Sequence, residues 1–173
     1  LEFRRVLFRS PSLVRFDRVI VFSDLQAEVL HRLGVPESRL AVIPNGVDPQ
    51  RWSPAGIGPE GWESQELRRR FAGQRIFLYM GRIATEKNVE ALLRAWRLVQ
   101  PPGCLLVVVG DGPQRLPLMQ AYGPEQQVLW WGYEADQQRR LALLRLAEVF
   151  LLPSLVEGLS LALLEAMATG KIG

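Results

Sequence analysis

Cysteine and histidine occur once each in the 173 residues, as Cys104 and His31, and lysine only twice. A single cysteine forms no internal disulfide, and one residue of each kind leaves no His/Cys set for a metal ion. Cys104 opens an apolar run and reads as a buried strand residue. His31 lies in a helix-like stretch and reads as a surface or core histidine rather than a base. Long apolar runs are missing too. None approaches the ~20 residues that cross a bilayer, so the compartment reads as cytoplasmic. There is no low-complexity tract and no repeat, and 48% hydrophobic with 23% charged residues is ordinary globular composition.

The excess of basic residues is confined to the ends. The opening LEFRRVLFRS has the look of a basic signal-peptide start, but it also matches the translation of a widely used sequencing adapter. The closing Lys171-Ile172-Gly173 fits the reverse complement of the same adapter. Residues 1–10 and 171–173 are therefore expected to be artefact. Setting aside Arg4, Arg5, Arg9 and Lys171 takes Lys+Arg from 21 to 17. Setting aside Glu2 takes Asp+Glu from 18 to 17. The remainder is neutral and has no basic stripe with interleaved aromatics, so a nucleic-acid partner is not expected.

What is present is alternation. RVIVF (18–22) and LAVIP (40–44) read as strands around a helix that Ser23 or Asp24 caps and Gly34 stops. Residues 49–61 are rich in Pro and Gly and read as a linker, followed by a charged helix at about 63–72. Its Arg68, Arg69 and Arg70 suggest a solvated face rather than a phosphate site. From residue 75 the order is βαβαβαβα: strands at 75–80, 104–110, 128–131 and 148–152, with helices at 88–99, near 113–121, at about 134–146 and at 160–169. The fold class this predicts is α/β, a Rossmann-like parallel sheet with helices on both faces. CLLVVVG (104–110) is apolar enough to be buried on both sides.

In such a sheet, ligands sit beyond the carboxyl ends of the strands. Gly81-Arg82 and Lys87 fall there, and two cations beside a helix start suit a diphosphate. Outside the suspect ends Lys87 is the only lysine among 17 basic residues, which marks a place for a compact point charge. A second feature is Pro153-Ser154-Leu155-Val156-Glu157-Gly158, where Gly158 and the amides of Leu159, Ser160 and Leu161 open a helix. Glu165 stands eight residues after Glu157, roughly 7–8 Å beyond that helix start, within reach of a ribose diol. Gly110-Asp111-Gly112-Pro113 is either a phosphate loop or a tight turn whose aspartate caps the next helix.

These blocks resemble the family-four glycosyltransferases, retaining enzymes of the two-domain GT-B architecture. The resemblance covers about residues 14–170. IPNGVD is similar to the segment joining that family's acceptor and donor domains. GRIATEKNVEALLRAW resembles its Gly-Arg and Glu-Lys block, and VVVGDGP and VLWWGY match two more. PSLVEGLSLALLEAMATG resembles its E-x7-E signature, with Glu157 and Glu165 in the glutamate positions. Ser160 departs from the pattern, where glycine is frequent.

The resemblance implies residues 11–48 as the remnant of an acceptor domain, 49–74 as linker and first helix, and 75–170 as the donor domain, truncated. It implies that Arg82 and Lys87 hold the diphosphate and stabilise its leaving charge without a metal. Glu157 would touch the donor sugar, Glu165 the ribose, and the Gly158–Leu161 amides the phosphates. The strand carrying Trp131 would lie against the base, with Gly81 and Gly110 nearby, and Asn45 and Gly46 would line the interdomain cleft. The donor would be a nucleoside-diphosphate sugar with no separate cofactor, and the acceptor a carbohydrate or a lipid-linked one. Peripheral contact with the inner face of a membrane would run through the missing domain. The chain alone is expected to bind nucleotide without transferring sugar. A non-catalytic nucleotide-binding module and a sugar-nucleotide epimerase of the same architecture are the alternatives. A dehydrogenase ranks low, because G-x-G-x-x-G is missing.

Overall fold

A computed structural model describes residues 13–52, 62–123 and 127–170. The two ends expected to be artefact lie outside the described residues. The chain divides into two compact units between Gly46 and Val47.

In the first unit β1 (Val19–Val21) pairs in parallel with β2 (Leu40–Val42), and α1 (Asp24–Arg32) connects them. Ser23 is the cap of α1, accepting the Gln26 amide, and Gly34 ends it at φ +97°. Both strands are shorter than the apolar runs that announce them.

The second unit begins with α2 (Pro49–Trp52) and α3 (Trp62–Arg70). Part of the segment read as linker is therefore structural. The Asp48 carboxylate accepts the Gln50 amide to start α2, and Trp52, Leu67 and Phe71 are buried in this unit's core. Residues 53–61 lie outside the described residues. Then follow β3 (Arg75–Met80), α4 (Val89–Val99), β4 (Cys104–Val109), α5 (Arg115–Ala121), β5 (Val128–Gly132), α6 (Gln137–Leu146), β6 (Val149–Phe150) and α7 (Leu161–Ala168). All four strands are parallel, in the order β5-β4-β3-β6.

Strand periodicity sends alternate side chains to opposite faces, and here each face has its own core. Ile76, Leu78, Met80, Val107 and Val109 meet Leu67 of α3, Leu141 to Leu144 of α6 and Ala166 of α7. Tyr79, Cys104, Leu106 and Val108 meet Val89, Leu93 and Trp96 of α4 and Leu118 of α5. Helices thus cover both faces, as the sequence pattern implies. Cys104 is a buried strand residue with a free thiol.

The helices that follow β3 and β6 leave on opposite faces, although the two strands are neighbours. That is the topological switch point, where the strand tips part and open a crevice. On the other side of β3 the pairing with β4 runs on past the strands. The Gly81 amide donates to Val109 O at 3.0 Å and the Ile83 amide to Asp111 O at 2.9 Å. The approach is so close that a Cβ on Gly110 would lie 1.9 Å from Gly81 O, and one on Gly112 2.3 Å from Ile83 O. Backbone packing is what requires these two glycines. Asp111 does not cap the next helix. Its carboxylate accepts the adjacent Gly112 amide, and Gln114 occupies the cap position of α5, too far along the chain for Asp111 to reach the first turn.

Gly110→Ala is expected to cost roughly 3 kcal/mol or more in a denaturant melt, from backbone strain plus overpacking. Gly73→Ala, also at positive φ but with open space around its Cβ, should cost roughly 1–2 kcal/mol. Equal costs would show that the Gly81 carbonyl is not what excludes a side chain from position 110.

Candidate active site at the switch point

Beyond the tip of β3 the chain makes a 3-10 turn over Thr85–Lys87 and enters α4 through Asn88, which sits at φ +52°. Asparagine tolerates that left-handed conformation better than most residues. Beyond β6 the chain runs through Pro153–Gly158 to Ser160, the cap of α7. Three links strap these segments together. Asn88 Nδ2 donates to Pro153 O at 3.3 Å, and the Leu155 amide donates to Glu86 O at 3.0 Å. The third link is ionic: Lys87 Nζ meets Glu157 Oε1 at 2.5 Å, with both side chains about three-quarters buried, at 24% and 23% exposure. Ser154 Oγ donates to the same Oε1 at 2.8 Å. Two residues 70 apart in sequence, each expected to touch the donor, therefore hold one another.

Arg82 is arranged differently. Tyr79 Oη donates to its carbonyl at 2.7 Å, fixing the backbone. Burial, assisted by the charges of Glu157 and Glu86, pushes the Tyr79 phenol well above its ordinary range, so it remains a donor. The Arg82 side chain is exposed and has no ion-pair partner among the described residues. It stands free for an incoming anion.

A cavity of about 370 Å³ opens beside it, of the size that takes a small ligand. Gly81 and Arg82 of the β3 tip, Gly110 and Asp111 of the β4 tip, and Tyr133, Glu134 and Arg140 line it. The loop after β5 is braced from both sides. Glu134 accepts the Trp131 indole N–H and the Asp136 amide, each at 3.0 Å, and Arg140 Nη1 donates to the carbonyls of Glu134 and Ala135. Trp131 does not line the cavity. Its ring lies under the Arg70 guanidinium at 4.9 Å, so it shapes the loop through Glu134. Arg68, Arg69 and Arg70 are exposed, as a solvated face requires. Tyr133, Glu134, Arg140 and Ser154 are the site residues that sequence reasoning did not single out. Tyr133, Glu134 and Ser154 lie in loops and Arg140 in the first turn of α6, and only their contacts distinguish them.

At the start of α7 the departure from glycine at Ser160 has a use. Its hydroxyl accepts the Leu163 amide at 3.4 Å and so satisfies one of the first-turn donors. Glu157, Gly158, Leu159 and Leu161 are exposed by residue. Glu165, one turn further on, is half-buried. Burial raises its carboxyl above the ordinary range, and the charge of Arg140, a cavity residue, opposes that rise. Asn45 and Gly46 are the last two residues of the first unit. Among the described residues no cluster of three His, Cys, Asp or Glu could hold a metal ion, and no helix is long and apolar enough to cross a membrane.

Residues 62–172 match the family model described as "Glycosyl transferases group 1". The chain belongs to the group 1 glycosyl transferases. Residues 2–51 match a second model, that of glycosyltransferase family 4. Among curated relatives of this group 1 glycosyl transferase is the UDP-Gal:alpha-D-GlcNAc-diphosphoundecaprenol alpha-1,3-galactosyltransferase of Escherichia coli. The two are 30% identical over 166 residues, which is 88% of this chain and 41% of the relative. An uncharacterised glycosyltransferase of Methanocaldococcus jannaschii is 29% identical over 161 residues, 88% of this chain and 40% of the other. The chain thus spans about two fifths of the length of the curated relatives it matches. HepE of Anabaena, solved in complex with UDP-glucose, shares the fold at a TM-score of 0.73 and 23% identity, over 97% of this chain and 46% of that one.

Glu165 gives this group 1 glycosyl transferase a pH signature. A carboxyl raised in the folded state contributes stability that is complete below the unfolded value, about 4.3, and is lost as pH rises through the folded value. Glu165→Gln should therefore leave the ligand-free melting temperature unchanged below about pH 4 and raise it increasingly above that. A gap between variant and wild type that stays constant across the pH range would remove burial of the carboxyl as the cause.

Proposed function

We propose that this chain is the nucleotide-sugar-binding part of a retaining glycosyltransferase that moves a hexose from a nucleoside diphosphate to an acceptor. The acceptor class favoured is a carbohydrate or a lipid-linked glycan, reached at the cytoplasmic face of a membrane by peripheral contact. The observation that carries the reading is the convergence of Arg82 and Lys87, beyond β3, with the Glu157 loop, beyond β6, at the switch point.

On this reading Arg82 and Lys87 grip the diphosphate. As the bond from the sugar to the phosphate oxygen breaks, negative charge grows on the departing group. Two cations engaged with the departing group stabilise that charge more than the ground state, which is where rate acceleration arises. The amides of Gly158, Leu159, Ser160 and Leu161 face the phosphates at the positive end of α7. Glu157 contacts the sugar and Glu165 accepts from the ribose hydroxyls. The base occupies the cavity between Gly81, Gly110 and Tyr133, with Trp131 acting on it through Glu134. Retention of configuration and the hexosyl class are taken from the family resemblance.

The measurement that tests this is a thermal melt of the chain with UDP, GDP and ADP in turn. A nucleotide at about 100 times its dissociation constant should add roughly 2.7 kcal/mol, or a rise of about 5–10 °C. Lys87→Ala and Glu165→Ala should each weaken that nucleotide by roughly tenfold or more, the worth of a hydrogen bond to a charged group. A cooperative melt that none of the three nucleotides moves would sink the donor-site reading.

A further inference from the structure

The Lys87–Glu157 pair raises a question of charge. If the diphosphate takes Lys87, then Glu157 loses the ammonium that neutralises it. A partly buried carboxylate stripped of its partner is costly unless another donor remains. The structure supplies one. Ser154 Oγ donates to Glu157 Oε1, the same oxygen that Lys87 holds. Ser154 itself is fixed from below, because Asn88 donates to the carbonyl of Pro153 and Glu86 accepts the amide of Leu155. The hydroxyl is therefore presented by a segment with both neighbours tied to the turn that carries Lys87.

Resting on the donor-site reading above, we propose that Ser154 is the positioning residue of this site. It holds the Glu157 carboxylate in place, so that Lys87 can be handed from Glu157 to the diphosphate. Binding is then an exchange of partners at Lys87, and Ser154 sets how readily Glu157 gives that partner up. Without the hydroxyl, Glu157 depends on Lys87 alone and competes harder with the ligand for it. No covalent bond changes in this step. One ammonium passes from a carboxylate to a phosphate oxygen, and one hydroxyl keeps its acceptor.

The test is a double-mutant cycle on nucleotide affinity, using the tightest binder among UDP, GDP and ADP. Ser154→Ala is expected to weaken binding about three- to tenfold, the range of one neutral hydrogen bond, and Ser154→Thr, which keeps a hydroxyl, to restore most of it. In a Glu157→Gln background the same Ser154→Ala change should have almost no effect, because the charge competing for Lys87 is gone. The scarcity of lysine provides a direct spectroscopic check. With Lys171→Arg, Lys87 is the only lysine in the chain, and its 15N-labelled ammonium signal should shift on nucleotide addition. If Ser154→Ala binds as wild type while Glu157→Gln does not, the inference falls and the site stands. Equal losses in both backgrounds would also overturn it, making Ser154 a prop for the fold. If the Lys87 signal ignores every nucleotide, the donor-site reading fails first, and the inference with it.

Discussion

Strand β3 is held from four directions. β4 pairs along its whole length on one edge, β6 pairs with its middle on the other, and a separate hydrophobic layer packs on each face. Ile76, Leu78 and Tyr79 are at most 1% exposed, so the strand has almost no freedom to translate or twist. That confinement is what makes its tip a usable platform. Gly81, Arg82 and the turn to Asn88 continue directly from a segment that cannot move, and the ladder to Val109 and Asp111 extends the clamp two residues further. Polar groups converging on a ligand need positions fixed to within about half an ångström. A site built on β3 inherits that accuracy from the core. The weaker partner is β6, with two paired residues, and the straps from Asn88 and Glu86 compensate by tying its following loop to the β3 side.

How much of this the residues announce depends on the range of the interaction involved. β3 is legible to the residue, because IFLYM (76–80) is an unbroken apolar run bounded by Arg75 and Gly81. β4 was legible to within one residue. β6 was overextended, since Leu151 and Leu152 look like strand, yet the last link to β3 is the Leu151 amide on Leu78 O. Lys87 and Glu157 were both singled out, but their contact across 70 residues was not, as no local pattern encodes a tertiary ion pair. The Gly-Asp-Gly-Pro turn leaves open, from sequence, whether Asp111 belongs to a phosphate loop or caps the next helix. The same turn is dominated by the need to bring Gly110 and Gly112 against two carbonyls, which composition cannot show. Ser154 and Arg140 illustrate the limit most sharply. Each matters only through one or two distances, and a serine in a loop or an arginine on a helix has no signature of its own.

Several local features of the site work against folding stability. Glu165 is a half-buried carboxyl raised by desolvation, Asn88 occupies a left-handed conformation, and Leu155, Val156 and Leu161 are largely exposed beside Glu157. In other stretches local rules are kept: Ser23 and Asp136 cap their helices and apolar strands face apolar helices. Local rules broken at residues that gather at one set of strand tips are expected where a binding site competes with folding. The tension at Glu165 is specific. A neutral side chain there suits folding, whereas on the proposed reading a carboxylate suits a ribose diol, so the two demands would oppose each other at one position.

The choice of lysine at position 87 follows from the same economy of partners. An arginine at that place would engage Glu157 with two parallel hydrogen bonds in a fixed fork, a geometry that favours a permanent pair. An ammonium is a compact charge on a flexible stem, and it can turn from a carboxylate to a nearby phosphate by rotating about its own bonds. Arg82, which has no ion-pair partner among the described residues, faces no such exchange, and there the pre-organised guanidinium is the better clamp. On the proposed exchange the two cations are thus suited to different tasks: Arg82 meets the ligand without giving up a partner, and Lys87 is released from one. In a chain that otherwise uses arginine for its basic residues up to residue 170, the single lysine in that span stands where the proposed exchange asks for a bond strong enough to order the loop and loose enough to give way.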